Sequence, residues 1–125
     1  MLGLFKTKEI EITNKSEFEK ILTRLIELLQ DNAFIGQANV VRQTLGALIR
    51  EDKKEFLKLI TSIDMWGGAG AVWEVYGFTT DKDEKEFWGQ LIKLTDEMKK
   101  IGIKCGRAYS TANFFRKELK RVGGK

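Results

Sequence analysis

Three features of the sequence predict an all-α fold. Apolar residues recur at spacings of three and four along most of the chain, which is the period of a helix with one buried face. Three of these runs are preceded by a capping residue with an acid three positions on. Strand-like alternation is confined to Ile10 and Ile12. The expected architecture is a compact bundle of about five or six helices behind a short extended N-terminal segment. The 125 residues read as one helical domain, 1–125, with no internal repeat, low-complexity stretch or long polar linker.

The first helix is expected to open at Ser16, with Glu19 completing a capping box, and to carry Phe18, Ile21, Leu22, Leu25 and Leu29 on one face. Its end falls near Asp31-Asn32. A second helix, from about Ala33 to Arg50, places Phe34, Ala38, Val41, Leu45, Leu48 and Ile49 on a stripe that Gly36 and Gly46 weaken. Asp52 with Glu55 starts a short third helix with the apolar face Phe56, Leu57, Ile60 and Ile63. Asp81 with Glu84 starts a long one bearing Phe87, Trp88, Leu91, Leu94, Met98 and Ile101, and Gly102 is placed as the left-handed residue that stops it. The last helix, about Arg107 to Val122, carries Ala108, Ala112, Phe115, Leu119 and Val122. Gly123-Gly124-Lys125 reads as a frayed tail.

Composition excludes several chemistries. There is no histidine, and with it go the commonest general base near neutral pH and the commonest metal ligand. The lone Cys105 forbids an intrachain disulfide and a cysteine-rich zinc site, and with no histidine to pair with it a Cys/His nucleophile is impossible. No serine stands in a nucleophile elbow, and neither acidic cluster has the spacing of a calcium loop. No catalytic residue, metal site or cofactor is expected. The remaining enzymatic possibility requires Asp64, Glu74, Tyr76 and Arg42 to converge in one pocket. Met1 to Phe5 lacks the apolar core of a secretory leader, and no apolar run approaches the ~18 residues of a membrane span. A cytoplasmic protein with no membrane contact is the expectation.

Between Asp64 and Tyr76 the composition changes. Trp66, Gly67, Gly68, Gly70, Trp73, Glu74 and Tyr76 fall within thirteen residues, which helix propensity does not explain. Were Trp66 to begin a helix, Gly70 and Trp73 would share its face and let another backbone approach closely. One reading makes the tryptophans core anchors at a tight helix crossing. The other makes this a binding site: Gly67, Gly68 and Gly70 expose backbone N–H groups, Trp66, Trp73 and Tyr76 form an aromatic wall, and Asp64 and Glu74 make it negative. A dinucleotide fingerprint fails because tryptophan stands where the third small residue is needed. A Walker loop fails for want of Gly-Lys-Ser/Thr.

The run Trp66-Gly67-Gly68-Ala69-Gly70-Ala71-Val72-Trp73-Glu74 resembles the signature Trp-Gly-Gly-small-Gly-small-x-Trp-acid of a family of small bacterial α-helical domains. The match spans about a tenth of the chain. In size and character the sequence is also similar to immunity and adaptor proteins of bacterial conflict systems, which implies action by protein binding.

Charge is unevenly spread. The net +4 combines a balance of −4 over residues 1–98 with +8 from Lys99 onward. Arg116, Lys117, Lys120 and Arg121 flank the apolar stripe of the last helix as a basic ridge, with Arg107 near its start. Two functions are therefore expected in order. The first is a non-catalytic protein-binding module using Asp64 to Tyr76, acting as a monomer or homodimer. The alternative is a nucleic-acid-binding module using the basic helix, with Tyr109, Phe114 or Phe115 as stacking partners.

Overall fold

A computed structural model describes residues 9–123. The expectations for Met1 to Phe5 and for Gly124-Lys125 lie outside the described residues. The fold is all-α, 74% helical and without strands among the described residues. Five helices have eight residues or more: α1 (Lys15–Asp31), α2 (Ile35–Ile49), α3 (Lys53–Ile60), α5 (Asp81–Lys100) and α6 (Gly106–Gly123). The single turn α4 (Ile63–Trp66) and a 3₁₀ turn (Val72–Glu74) lie between α3 and α5. Residues 9–14 are neither helix nor strand, though Ile10 and Ile12 pack against the core.

Helix α1 packs against both α2 and α5, α5 also carries α6, and α3 rests on α2. The buried side of α1 is Phe18, Ile21, Leu22, Leu25, Leu28 and Leu29, the predicted stripe with one leucine added. Phe18 meets Phe56 of α3 edge to face at 5.2 Å. Each such fully buried side chain contributes about 1.5–3 kcal/mol by leaving water. On α2 the stripe is rotated from its expected position. Thr44 and Ala47 are buried and Ile49 is exposed. Ile63 is exposed too, since the chain breaks after Ile60 and restarts as α4.

Two start signals fall elsewhere than expected. Asn14, not Ser16, precedes α1, and it makes no side-chain cap. Its Nδ2 instead donates to the backbone oxygen of Glu97 at 3.1 Å and to Glu97 Oε1 at 2.7 Å, tying the start of α1 to α5. Helix α5 is capped by Thr80, whose hydroxyl accepts from the amide of Asp83 at 3.1 Å, leaving Asp81 as the first helical residue. Asp52 caps α3 as expected, accepting from the Glu55 amide at 3.2 Å.

Three helices end alike. After α5, Gly102 at φ +83 gives its amide to Lys99 O at 3.1 Å, and Ile103 gives its own to Met98 O at 3.1 Å. This is the Schellman arrangement, which satisfies two orphan carbonyls. Ala33 (φ 65) after α1 and Glu51 (φ 61) after α2 make the same pair of bonds, each with a Cβ in a region that favours glycine.

Candidate functional site

The Trp66–Tyr76 segment is not one helix. Ser62 caps α4 by accepting from the Met65 amide at 3.3 Å, and the turn closes when Gly67 N–H donates to Ile63 O at 2.7 Å. A side chain is impossible at Gly67 without rearrangement: a Cβ there would lie 2.4 Å from Ile63 Cγ2 and 2.7 Å from Ile63 O. Gly70 then takes φ +87, where glycine carries no steric penalty. The chain re-enters regular structure only at the 3₁₀ turn.

Each tryptophan fastens part of this path. Trp66 is 2% exposed, and its Nε1 donates at 2.7 Å to Ile60 O, an orphan carbonyl at the end of α3. It is a core anchor. Trp73 is half-buried, donates from Nε1 to Gly67 O at 2.5 Å, and meets Phe115 of α6 edge-on at 6.2 Å. From α2, Gln37 Nε2 donates to Gly70 O at 3.2 Å. The loop is thus held at both ends of its glycine run, with Gly68 exposed between them.

Opposite this loop stands the beginning of α6, which α4 touches. Between them runs an open groove of about 620 Å³ lined by Trp66, Gly67 and Gly68 on one side and Gly106, Arg107, Ser110 and Thr111 on the other. It continues past Ser110 and Thr111 into a recess of about 220 Å³ walled by Trp73 and Phe114. Phe114 is 50% exposed.

Of the eight residues expected to form a binding site, four are brought together here: Trp66, Gly67, Gly68 and Trp73. Asp64, Gly70, Glu74 and Tyr76 are exposed and line neither part of the groove. The accessible aromatic wall is therefore Trp73 and Phe114, without Tyr76, and Trp66 borders the groove from the core. The expected negative charge is absent from it, since neither Asp64 nor Glu74 lines the groove. Arg107 is the one charged residue in the lining.

The α6 wall was not singled out from sequence as part of this surface, although a signal exists. Arg107, Ser110, Thr111 and Phe114 repeat at i, i+3, i+4 and i+7, a second stripe beside the buried Ala108, Ala112 and Phe115. Thr111 belongs to both, being 8% exposed and yet lining the groove. The other two buried threonines donate to carbonyls of their own helices, Thr44 to Val40 at 3.0 Å and Thr95 to Ile92 at 2.8 Å. Thr111 makes no such bond among the described residues.

The basic ridge is real but partly occupied. Arg116 Nη2 lies 2.5 Å from Asp96 Oδ1, and Arg121 Nη2 2.7 Å from Glu118 Oε1. Lys117 and Lys120 are exposed and make no ion pair among the described residues. Two of the three stacking candidates are unsuited to the task. Phe115 is buried, stacked at 5.5 Å on Trp88, and Tyr109 is half-buried with its hydroxyl donating to Ile103 O and Lys99 Nζ 4.8 Å above its ring.

The closest-knit charges elsewhere hold helices together. Arg24 of α1 grips Glu86 of α5 through Nε at 2.6 Å and Nη2 at 2.8 Å, which keeps the Glu86 carboxyl below the ordinary carboxylate range. Asp64, Glu74, Tyr76 and Arg42 line none of the five principal clefts, so the convergence that enzymatic action required does not occur there. The Arg42 guanidinium is bonded to Asn39 and Gln30. Among the described residues, no group of three His, Cys, Asp or Glu side chains is placed to hold a metal ion, and no helix is long and apolar enough to cross a membrane. No protein-family model, curated protein or solved structure matches the chain.

Proposed function

We propose that this is a cytoplasmic, non-catalytic protein-binding module whose partner docks on the groove between the Gly67-Gly68 loop and the first turns of α6. One observation carries the reading: partly exposed aromatic side chains, Trp73 and Phe114, wall a preformed concave surface whose glycine side is fastened by hydrogen bonds. Aromatic anchors set in a rigid pocket are what concentrate binding energy at protein interfaces, with truncations often costing about 2 kcal/mol or more. A surface already held in shape loses little entropy on association. The unpaired thiol of Cys105 suits a reducing compartment.

The test is affinity capture from the native cell with the wild type and with Ser110→Trp, which fills the groove from an exposed position. A stoichiometric partner held by the wild type and lost from the variant supports the reading. Equal capture by both contradicts it. Less favours nucleic acid, since Asp96 and Glu118 already engage two of the ridge's arginines and only Phe114 among the stacking candidates is free. Steeply salt-dependent association with DNA or RNA, abolished by reversing Lys117 and Lys120 to glutamate, would restore it.

A further inference from the structure

We propose that the groove recognises a carboxylate: an Asp or Glu of the partner, set beside an apolar residue, is held between Arg107 and Thr111 while its neighbour packs on Trp73 and Phe114. This rests on the protein-binding reading and names the chemistry of the partner.

Three observations point to an anion, and a fourth to an apolar neighbour beside it. Arg107 is the groove's one charged lining residue, and neither Asp64 nor Glu74 reaches it, so the local field is positive although residues 1–98 are net negative. The groove meets α6 at its N-terminal end. Tyr109 N–H donates to Cys105 O as the first intrahelical bond, so the amides of Gly106, Arg107 and Ala108 have no acceptor within the helix, and the macrodipole favours an anion there. Thr111 stands one helical turn beyond Arg107, more than nine-tenths buried, its hydroxyl without a partner among the described residues. The residue is buried but its hydroxyl is not sealed from solvent, so it opens on the groove, where a carboxylate can accept its hydrogen bond in place of water. Finally, the recess next to these groups is walled by two aromatic rings. A phosphate, with up to two charges and three acceptor oxygens, is matched by several cations rather than one, so a carboxylate is the better fit.

Random twelve-residue peptides displayed on phage and selected on the full chain provide the probe, followed by titration of the selected peptides against the wild type, Arg107→Glu and Thr111→Val. The expected consensus pairs Asp or Glu with an adjacent aromatic or branched aliphatic residue. Replacing that acid by its amide should weaken binding at least tenfold, Arg107→Glu should do likewise, and Thr111→Val should weaken it severalfold while its thermal midpoint stays the same or rises. Retained midpoint with lost affinity separates a recognition role for Thr111 from a structural one. Groove-binding peptides that lack an acid, or that bind Arg107→Glu undiminished, overturn the carboxylate inference and leave the protein-binding reading standing. Competition by inorganic phosphate below millimolar concentration overturns it in favour of a phosphorylated ligand. Peptides that ignore Ser110→Trp, or none selected at all, contradict both.

Discussion

The indole nitrogen of Trp73 donates to the carbonyl oxygen of Gly67 at 2.5 Å, so the second tryptophan of the segment fastens the turn that follows the first. The bond spans six residues and closes the glycine run into a loop whose outer side becomes a groove wall. Trp73→Phe removes the donor and keeps an aromatic ring against Phe115. A loss of about 1 kcal/mol in urea unfolding is expected, the worth of one hydrogen bond, together with sharper exchange of the loop amides with solvent. Unchanged amide exchange at Gly68 to Ala71 would show that the bond does not hold the loop.

The three glycines of the loop should respond differently to alanine. Gly67→Ala forces a Cβ against Ile63 backbone and side chain and should cost about 1–3 kcal/mol. Gly70→Ala meets no atom within 4 Å but must hold φ +87, which costs about 1–2 kcal/mol. Gly68→Ala has open space and no such φ, so less than about 0.5 kcal/mol is expected. Chemical denaturation of the three variants checks the order. Equal effects at Gly67 and Gly68 would contradict the close approach to Ile63.

Much of the bundle was legible because its signals are local. Phe18 to Leu29 and Phe87 to Met98 announce their buried faces by spacing alone, and Gly102 marks the end of α5 by a left-handed conformation that glycine alone adopts without penalty. Ser16 misled because Asn14, two residues earlier, is drawn to Glu97 across 83 positions of sequence, a partner that no local pattern reveals. Thr80 and Asp81 are both competent caps, and the route of the chain into α5 chose between them. The binding surface was half legible. Composition pointed to Trp66–Trp73, but the path of the glycines is decided by Gln37 and Trp73, and the opposing wall begins at Gly106, which nothing in the loop foretells.

Two substitutions away from the groove should stabilise the fold. Ala33→Gly relieves the left-handed strain at the end of α1 and should add about 0.5–1 kcal/mol. Gly89→Ala, inside α5 with nothing within 4 Å of the new methyl, should add a similar amount by raising helix propensity. Thermal midpoints a few degrees above the wild type are the expected readout. A lowered midpoint for Ala33→Gly would contradict the Schellman geometry there.

Acid sensitivity should be concentrated at Glu97 and Glu86. The Lys100 ammonium, and after it the Asn14 amide, hold the Glu97 carboxyl below its ordinary value near 4.5. A carboxyl whose folded pKa is depressed stabilises the fold fully above the unfolded value, and that contribution is lost as pH falls through the folded value. Urea midpoints of the wild type should therefore decline below about pH 4.5, and Glu97→Gln should show a shallower decline over the same window. Parallel pH profiles for the two proteins would remove Glu97 from the acid transition.

The most direct measurement is a backbone amide chemical-shift map of the ¹⁵N-labelled protein titrated with the partner recovered by affinity capture. The largest changes are expected at Gly67, Gly68, Gly106, Arg107, Ser110 and Thr111, with the Trp73 indole N–H moving alongside them. Changes confined to Lys117 and Lys120, or to the charged cleft of Lys20, Arg24 and Lys93, with the groove amides unmoved, would contradict the assignment of this groove as the binding surface.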